Sequence, residues 1–582
     1  MLEKYLKLYT ADQTRNLDNL AIENAGWTEK SFGYDLMKRA GASVTHFITS
    51  TWPETKNMVV FCGVGNNGGD GYIIAKLSNE CGINVKVIQL GDLTKQHGDA
   101  LTARINMESD GLFTETFKAD VDNIVKNTDV VVDAMIGTGL QRTVSGDLAQ
   151  AINVINHYSS SGINQAGVKV VSVDIPSGLN ADTGSIQGSA IKAHMTVTFI
   201  GRKQGLYTAE GPEHSGEIKF DALSISENTY TKIPPDCYLL PVTLSRPFST
   251  PRKKNTHKGT YGNVIVVGGA PGMNGAILLT ATAALRSGCG LVTVLTHPQH
   301  ASFLNLTRPE IMCRGIKSAT ELDAYLSGAD VIIIGPGLGT GHWGNELFNG
   351  VLEKSGKLNI PLVIDADGVN LLAHLDVNKG DHVLSGRISA EEMASHKSSL
   401  YTSDIKLNVS KKKNNEIELN HLKKENQNWV LTPHPGEAAN LLKCSITIIQ
   451  NDRFSAATQI SQKYNVMCVL KGSGTITSTI NSENSQGSDK KQSRQYVCSS
   501  GNPGMATAGM GDVLSGIIAS FIAQFGNKNN DSVSFSEIVN NAVMLHAMAG
   551  DRVAKKYGEK GMLASDLFSE IRSVLKENQD GW

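Results

Sequence analysis

Short apolar runs rich in Val and Ile recur from Met58 onward, separated by longer stretches in which apolar residues return every three or four positions. The runs are MVVFC at Met58, INVKVIQL at Ile83, DVVVDAMIG at Asp129, VKVVSVDIPSG at Val168 and HMTVTFIG at His194. DGYIIAKLSNEC, starting at Asp70, is one of the amphipathic segments between them. β-rich runs alternating with amphipathic stretches predict βαβ units, hence a mainly parallel sheet covered by helices on both faces.

The rhythm stops between Pro234 and Gly259, where Pro234, Pro235, Pro241, Pro247 and Pro251 gather beside a basic run, so a linker is expected there. It restarts with NVIVVGG at Asn263 and continues through GLVTVLT, DVIIIGPG, PLVIDADG, WVLTPHPGE and VMCVLKGSG, becoming mostly helical after Ala508. Two polar stretches, 376–428 and 480–495, break the pattern and read as solvated insertions. The first is basic, but its Glu and Asn content and lack of stacking aromatics favour a surface excursion over a nucleic-acid patch.

Length supports the division, because 582 residues exceed one ordinary core. A formal net charge of −2 supplies no global field toward nucleic acid or an anionic membrane, so small molecules are the expected partners. The eight cysteines are scattered without a C-x-x-C pair, which fits reduced thiols in the cytosol. The opening MLEKYLKLYTADQTRN has no apolar leader core, and no later run reaches the roughly 18 apolar residues of a spanning helix. A soluble, cytoplasmic protein is expected.

GVGNNGGDG, Gly63 to Gly71, follows the first predicted strand and contains G-x-G-x-x-G. The acid that would close the second strand and hold a ribose is missing, since INVKVIQL ends in Gln89 and Leu90, which disfavours a nicotinamide dehydrogenase. Asp133, Asp174 and Ser177 follow other apolar runs, at the strand ends that line the crevice in open α/β sheets. Each alone could be a helix cap; several at one edge point to a site.

The second half has no G-x-x-x-x-G-K-[ST] and is not a P-loop NTPase. Four Gly-rich turns replace it: GGAPGMNGA, IGPGLGTG, KGSGT and AGMGDVLSG. Gly509 to Asp512 precede a helical stretch whose N-terminal N–H groups would face an anion, with Asp512 beside it as a base for a hydroxyl attacking phosphate. A helix cap is the plain alternative for Asp512, and a packed core histidine for His434.

GNNGGDG, DAMIGTGL and DIPSGL in that order resemble the epimerase domain of NAD(P)H-hydrate repair enzymes, and LTPHPGEAANLL, LKGSGTIT and GNPGMATAGMGDVLSG are similar to their dehydratase domain. The resemblance implies a Rossmann-like doubly wound α/β epimerase domain at 1–240 and a ribokinase-like α/β dehydratase domain at 245–582. Their substrate is NADH or NADPH hydrated at carbon 6 of the nicotinamide. The first domain interconverts the R and S forms. The second phosphorylates the hydroxyl of the S form so that it leaves as phosphate.

By the same resemblance Asn66, Asn67, Gly68, Gly69 and Asp70, with Gly137, Thr138, Gly139, Leu140, Gln141, Arg142, Thr143 and Asp174, bind the hydrated cofactor in the first domain. Asn67, Asp133 and Ser177 supply hard oxygens to a potassium ion. Asp174 is expected to be the acid or base of epimerisation. In the second domain Ala276, Gly339, His434 and Asp512 contact the hydrate, Asp512 being catalytic. Lys471, Gly472, Ser473, Gly474, Thr475 and Gly511 contact the nucleotide. Kinases of this fold often carry N-x-x-E near magnesium; this chain has H-x-x-E at His434 and Glu437. Fusion of the halves looks like the prokaryotic form, implying ADP as phosphoryl donor, and a homo-oligomer is expected. The runner-up is a ribokinase-like small-molecule kinase fused to a non-catalytic nucleotide-binding module.

Overall fold

The computed structural model describes residues 5–24, 29–118, 121–140, 142–160, 167–377, 428–480, 493–526 and 533–580. The first half forms a seven-stranded, wholly parallel sheet. Its spatial order is Thr114–Thr116, Asn84–Gln89, Asn57–Cys62, Val130–Ala134, Lys169–Val173, Met195–Phe199 and Glu217–Asp221. The order reverses between Asn57–Cys62 and Val130–Ala134, which opens a crevice at their carboxyl ends. Both faces are covered, as the unbroken apolar runs require: Met58 and Val60 pack with Ile73 and Ile74 on one side, Val59 and Phe61 with Val121 and Ile152 on the other. Each such side chain contributes about 1.5–3 kcal/mol on burial.

The second half repeats the plan. Met312–Gly315, Leu291–Thr296, Asn263–Val267, Val331–Ile334, Leu362–Ile364, Trp429–Leu431 and Met467–Leu470 lie parallel in that order. The switch falls between Asn263–Val267 and Val331–Ile334. Val264 and Val266 pack with Ile517 and Phe521 of the helix Met510–Phe525, whereas Ile265 and Val267 share a core with Phe348 of the helix His342–Leu358.

Beyond Met467–Leu470 the sheet continues through the antiparallel hairpin Thr475–Ile480 and Ser493–Cys498, then crosses into the first half. Cys237–Leu239 pairs parallel with Ser493–Cys498, Leu6–Tyr9 pairs antiparallel with Cys237–Leu239, and Arg202–Lys203 completes a twelve-stranded sheet. The expected linker is therefore structured from Cys237: Phe248 stacks on Phe521, with ring centroids 5.4 Å apart, and the backbone N–H of Ser245 donates to Asn541. Prolines ended the sequence periodicity there without freeing the chain from packing.

The expected insertion at 376–428 falls almost wholly outside the described residues; Asp376 and Val377 end the helix Asp367–Val377. At 480–495 the interruption is narrower, because Ile480 and Ser493 are a cross-strand pair and Ser493 to Gln495 extend the hairpin. Among the described residues no helix is long and apolar enough to cross a membrane.

Candidate active sites

The first site lies at the switch point of the seven-stranded sheet. GVGNNGGDG is only partly a loop: Gly65 is extended, with φ −91° and ψ −169°, and the helix Asn66–Glu80 starts directly after it. Asn66 to Asp70 thus form its first turns. Packing explains two of the glycines, because a Cβ on Gly63 would stand 1.9 Å from the Met135 carbonyl oxygen and one on Gly68 would stand 1.9 Å from the Gly63 oxygen. Gly65 faces open space, so the unpaired N–H groups of the helix start remain approachable by an anion.

Across the crevice, Asp133 is fully buried at the end of its strand. Its Oδ1 accepts from the Ser177 hydroxyl at 2.5 Å and its Oδ2 from the Ser177 N–H and the Ser172 hydroxyl, both at 2.8 Å. Burial pushes this carboxyl above the ordinary range, against the hydrogen bonds from Ser177 and Ser172. A Cβ on Gly137 would lie 3.4 Å from the Asn67 side chain, and the neighbouring Ile136 N–H donates to the Ser177 hydroxyl at 2.9 Å, so the turn at Ile136 and Gly137 touches both Asn67 and the Asp133–Ser177 pair. The Asn67 amide nitrogen is buried without a partner. Turning the amide over puts its carbonyl oxygen at that position, and the three side chains then offer an amide, a carboxylate and a hydroxyl oxygen, a donor set that suits an alkali cation.

Asp174 follows Val173 with φ +68°, a left-handed backbone that a non-glycine residue adopts at a cost. The turn is held by its N–H donating to Val197 O at 2.8 Å. Its carboxylate accepts from Thr198 and from the Phe199 N–H, each at 3.2 Å, and from the Lys203 ammonium. Lys203 is 1 % exposed and also donates to Phe199 O at 2.9 Å.

Sequence reasoning missed Lys203 and Asp18. Burial raises Asp18 to about 7, with Lys203 opposing and Asp174 adding to the rise, and its Oδ1 has no partner. Burial likewise drives Asp70 well above the ordinary range, reinforced by Asp174 and Asp18. Lys203 thus pairs with Asp174 while Asp18 and Asp70 feel both their charges, an arrangement able to hold an exchangeable proton near neutral pH. Thr138, Leu140 and Arg142 lie on the stretch after Met135, Arg142 exposed; Gln141 is outside the described residues. Gln89 lies in the core, where its amide donates to Leu90 O at 2.8 Å, which agrees with the missing ribose acid.

The second site gathers the turns after five parallel strands. The turn holding Ala276 meets that holding Gly339: a Cβ on Gly337 would lie 3.4 Å from Ala276 Cβ, and one on Gly339 3.3 Å from Ala270 Cβ. The Gly339 N–H donates to Asp367 Oδ2 at 2.8 Å. Two residues earlier, buried Asp365 accepts from Lys471 Nζ at 2.9 Å and from the Ser515 hydroxyl at 2.5 Å. Asp365 was not singled out from sequence, although DADG at a strand end carried the signal.

Lys471 also lies 3.7 Å from Glu437, and its ammonium nitrogen would be 3.2 Å from a Cβ on Gly511. Burial opposes its charge, yet Asp365 and Glu437 hold its pKa above the ordinary value. Against burial, Lys471 and Ser515 keep Asp365 below the carboxylate range. His434 is half-exposed and not a core histidine. It caps the helix Pro435–Leu442: its Nδ1 accepts from the N–H groups of Gly436 and Glu437, at 3.0 and 3.2 Å, while its backbone N–H donates to Glu437 Oε2 at 2.7 Å. Accepting at Nδ1 leaves a neutral ring's proton on Nε2.

Asp512 is not a helix cap. The cap of Met510–Phe525 is Gly509, at φ +89°, and Asp512 lies within the first turn. Burial raises its carboxyl to about 7, with Asp365 adding to the rise and Lys471 opposing it. Burial raises Glu437 to about 7 as well. Glu437 and Asp512 would offer hard carboxylate oxygens to a divalent ion brought in with a nucleotide. Among the described residues no group of three or more His, Cys, Asp or Glu forms a protein-only metal centre.

A family model described as YjeF-related protein N-terminus matches residues 33–205, and one described as NAD(P)H-hydrate dehydratase matches 264–386 and 406–573. The chain is similar to the bifunctional NAD(P)H-hydrate repair enzyme Nnr of Coxiella burnetii, with 38% identity over 98% of this chain and 99% of that protein. The Escherichia coli protein of the same name is 33% identical over 98% and 94%. Among solved structures, a ribokinase-like superfamily protein of Enterococcus faecalis aligns at 26% identity and a TM-score of 0.42, covering 58% of this chain and 96% of that one.

Proposed function

Because the chain belongs to the family of bifunctional NAD(P)H-hydrate repair enzymes, it is an NAD(P)H-hydrate epimerase and an NAD(P)H-hydrate dehydratase in one, and we propose how its residues divide the two reactions. Residues 1–240 carry epimerisation and 245–582 dehydration, the first half lending its short strands to the second sheet. Family membership sets aside the small-molecule kinase reading.

In the epimerase, the crevice between the helix start at Asn66 and the stretch Gly137 to Thr143 takes the hydrated cofactor, and Asp174 moves the proton that inversion at carbon 6 requires. Lys203 orients the Asp174 carboxylate, while Asp18 and Asp70 supply the store from which that proton is exchanged. Asn67, Asp133 and Ser177 would hold potassium, which supplies positive charge beside the bound substrate.

In the dehydratase, Ala276, Gly339 and His434 seat the S hydrate, and the turn Lys471 to Thr475 with Gly511 holds the nucleotide. Asp512 takes the proton of the carbon-6 hydroxyl; that oxygen attacks the terminal phosphorus, and the shorter nucleotide leaves. The helix start at Met510 and the Lys471 ammonium face the charge that develops. Phosphate then departs from carbon 6 with the ring nitrogen lone pair assisting, and proton loss restores the reduced ring. Glu437 would hold magnesium together with the nucleotide phosphates, where the ion neutralises charge. ADP is the proposed donor. A cytoplasmic location is proposed on the free state of all eight cysteines.

The observation that carries the dehydratase assignment is Asp512, half-buried in the first turn of its helix, uncommitted to capping and near-neutral in pKa beside a lysine. The test incubates purified protein with mixed hydrated NADH epimers and ADP, ATP or neither, following the reduced nicotinamide absorbance. Full recovery with ADP is expected. Recovery stalling at the S fraction would remove the epimerase assignment, and recovery without nucleotide would remove the phosphoryl-transfer route.

A further inference from the structure

The turn assigned to the nucleotide is not built by the second half alone. Thr208 of the first half is fully buried against it: its hydroxyl lies 3.0 Å from the Gly474 carbonyl oxygen and 3.2 Å from that of Ser473. The Ala209 N–H donates to Ser473 O at 3.2 Å. Gly474 has φ +61°, and a Cβ there would stand 2.1 Å from the Tyr207 carbonyl oxygen and 2.6 Å from Thr208 Cα, so the two backbones are in direct contact.

Arg453 closes the arrangement from beneath. It is 1 % exposed; its Nε donates to the Thr208 hydroxyl at 3.2 Å and a terminal nitrogen reaches the carbonyls of Leu470 and Lys471, both at 3.3 Å. The other terminal nitrogen donates to Gln450 Oε1 at 2.9 Å. Among the described residues its hydrogen-bond acceptors are all neutral. Burial lowers it to about 10, which leaves it charged at neutral pH. A guanidinium without a carboxylate directly under the turn adds positive potential where an anionic phosphate would rest.

We propose that Thr208 of the epimerase half and Arg453 are positioning residues of the nucleotide turn, so that the dehydratase nucleotide site is completed by the epimerase half. The segment doing this also reaches the other site, since Lys203, which holds Asp174, is followed immediately by the turn Gln204–Tyr207 and Thr208. The inference rests on the reading that Lys471 to Thr475 contact the nucleotide.

Thr208→Val removes the hydroxyl at nearly constant shape and strands the Arg453 Nε. The nucleotide KM in dehydration of the S hydrate is expected to rise roughly five- to thirty-fold, the consequence of leaving one buried donor unpaired. The kcat, the KM for hydrate and the epimerisation rate should stay within about twofold, and Thr208→Ser should restore the nucleotide KM. Ser473→Glu, which places a carboxylate on the exposed turn, tests the underlying reading in parallel. A raised nucleotide KM for Ser473→Glu with none for Thr208→Val overturns the inference alone. An unchanged KM for Ser473→Glu overturns the reading and the inference with it. Equal loss of both activities in Thr208→Val, without rescue by Ser, makes Thr208 a packing residue and also overturns it.

Discussion

Asp512→Asn should trade activity for stability, because the environment that prepares Asp512 as a base also penalises its charge. Burial lifts its carboxyl from 3.8 to about 7. At about 1.4 kcal/mol per pH unit, that rise corresponds to about 4 kcal/mol between the protonated and ionised forms of the folded protein. The sign follows from linkage: the folded state keeps a proton that the unfolded chain has released, so this group's contribution is fully present below about pH 4 and is lost as pH rises through 7. Asparagine never pays that charge penalty. The variant should be indistinguishable from wild type near pH 4 and more stable above pH 7, by roughly 1–4 kcal/mol once local relaxation is allowed, which is a rise of several °C in Tm. Dehydration should fall by roughly a hundredfold to ten-thousandfold, and epimerisation should not change. The assays are thermal midpoints at pH 5 and 8 and recovery of reduced cofactor from pure S hydrate with ADP. Dehydration within tenfold of wild type would refute the role of base; an unaltered Tm difference between the two pH values would refute the buried-charge argument.

Asp174→Asn keeps a residue that tolerates the left-handed backbone but removes the proton acceptor, so epimerisation of isolated R hydrate should drop by about a hundredfold or more while dehydration of S hydrate persists; equal rates of epimerisation would remove Asp174 from the chemistry. Replacing potassium by lithium should slow epimerisation, and the Asp133→Asn variant should lose that sensitivity along with most activity; indifference to the cation in potassium-free buffer would argue against the Asn67, Asp133 and Ser177 set. Residues 387–405 lie between the two matched parts of the dehydratase family model. Exchanging them for a short Gly/Ser linker should preserve dehydration within about twofold of wild type, since polar excursions of this kind contribute little to a core, and an insoluble or inactive product would give the segment a role in packing or binding.

The buried strands were legible in the sequence because a parallel sheet covered on both faces forces continuous apolar runs, and MVVFC, VVVDA, NVIVV and VIII are such runs. The chemistry at their ends was legible for the same reason: where a run stops at a Gly-rich turn or an acid, the parallel arrangement carries that residue to the crevice edge, as with Asp133, Asp174, Lys471 and the turn at Gly339. Local sequence could not decide whether Asp512 capped its helix, because a cap and a first-turn acid differ by three positions, and the left-handed Gly509 settled it. Nor could it reveal Asp18, Lys203, Asp365 or Arg453, whose surroundings come from elements far away in the chain. Leu6–Tyr9 and Cys237–Leu239 are four and three residues long, too short to carry a period. They become strands only because the hairpin ending at Cys498 offers an open edge, and satisfying that edge's backbone groups is a tertiary demand. The sequence alone therefore specified two α/β halves and most of their reactive residues; the joining of the halves through one sheet, and the seating of Thr208 under the turn of Gly474, were decided by which unpaired backbone and which buried charge each half left for the other to satisfy.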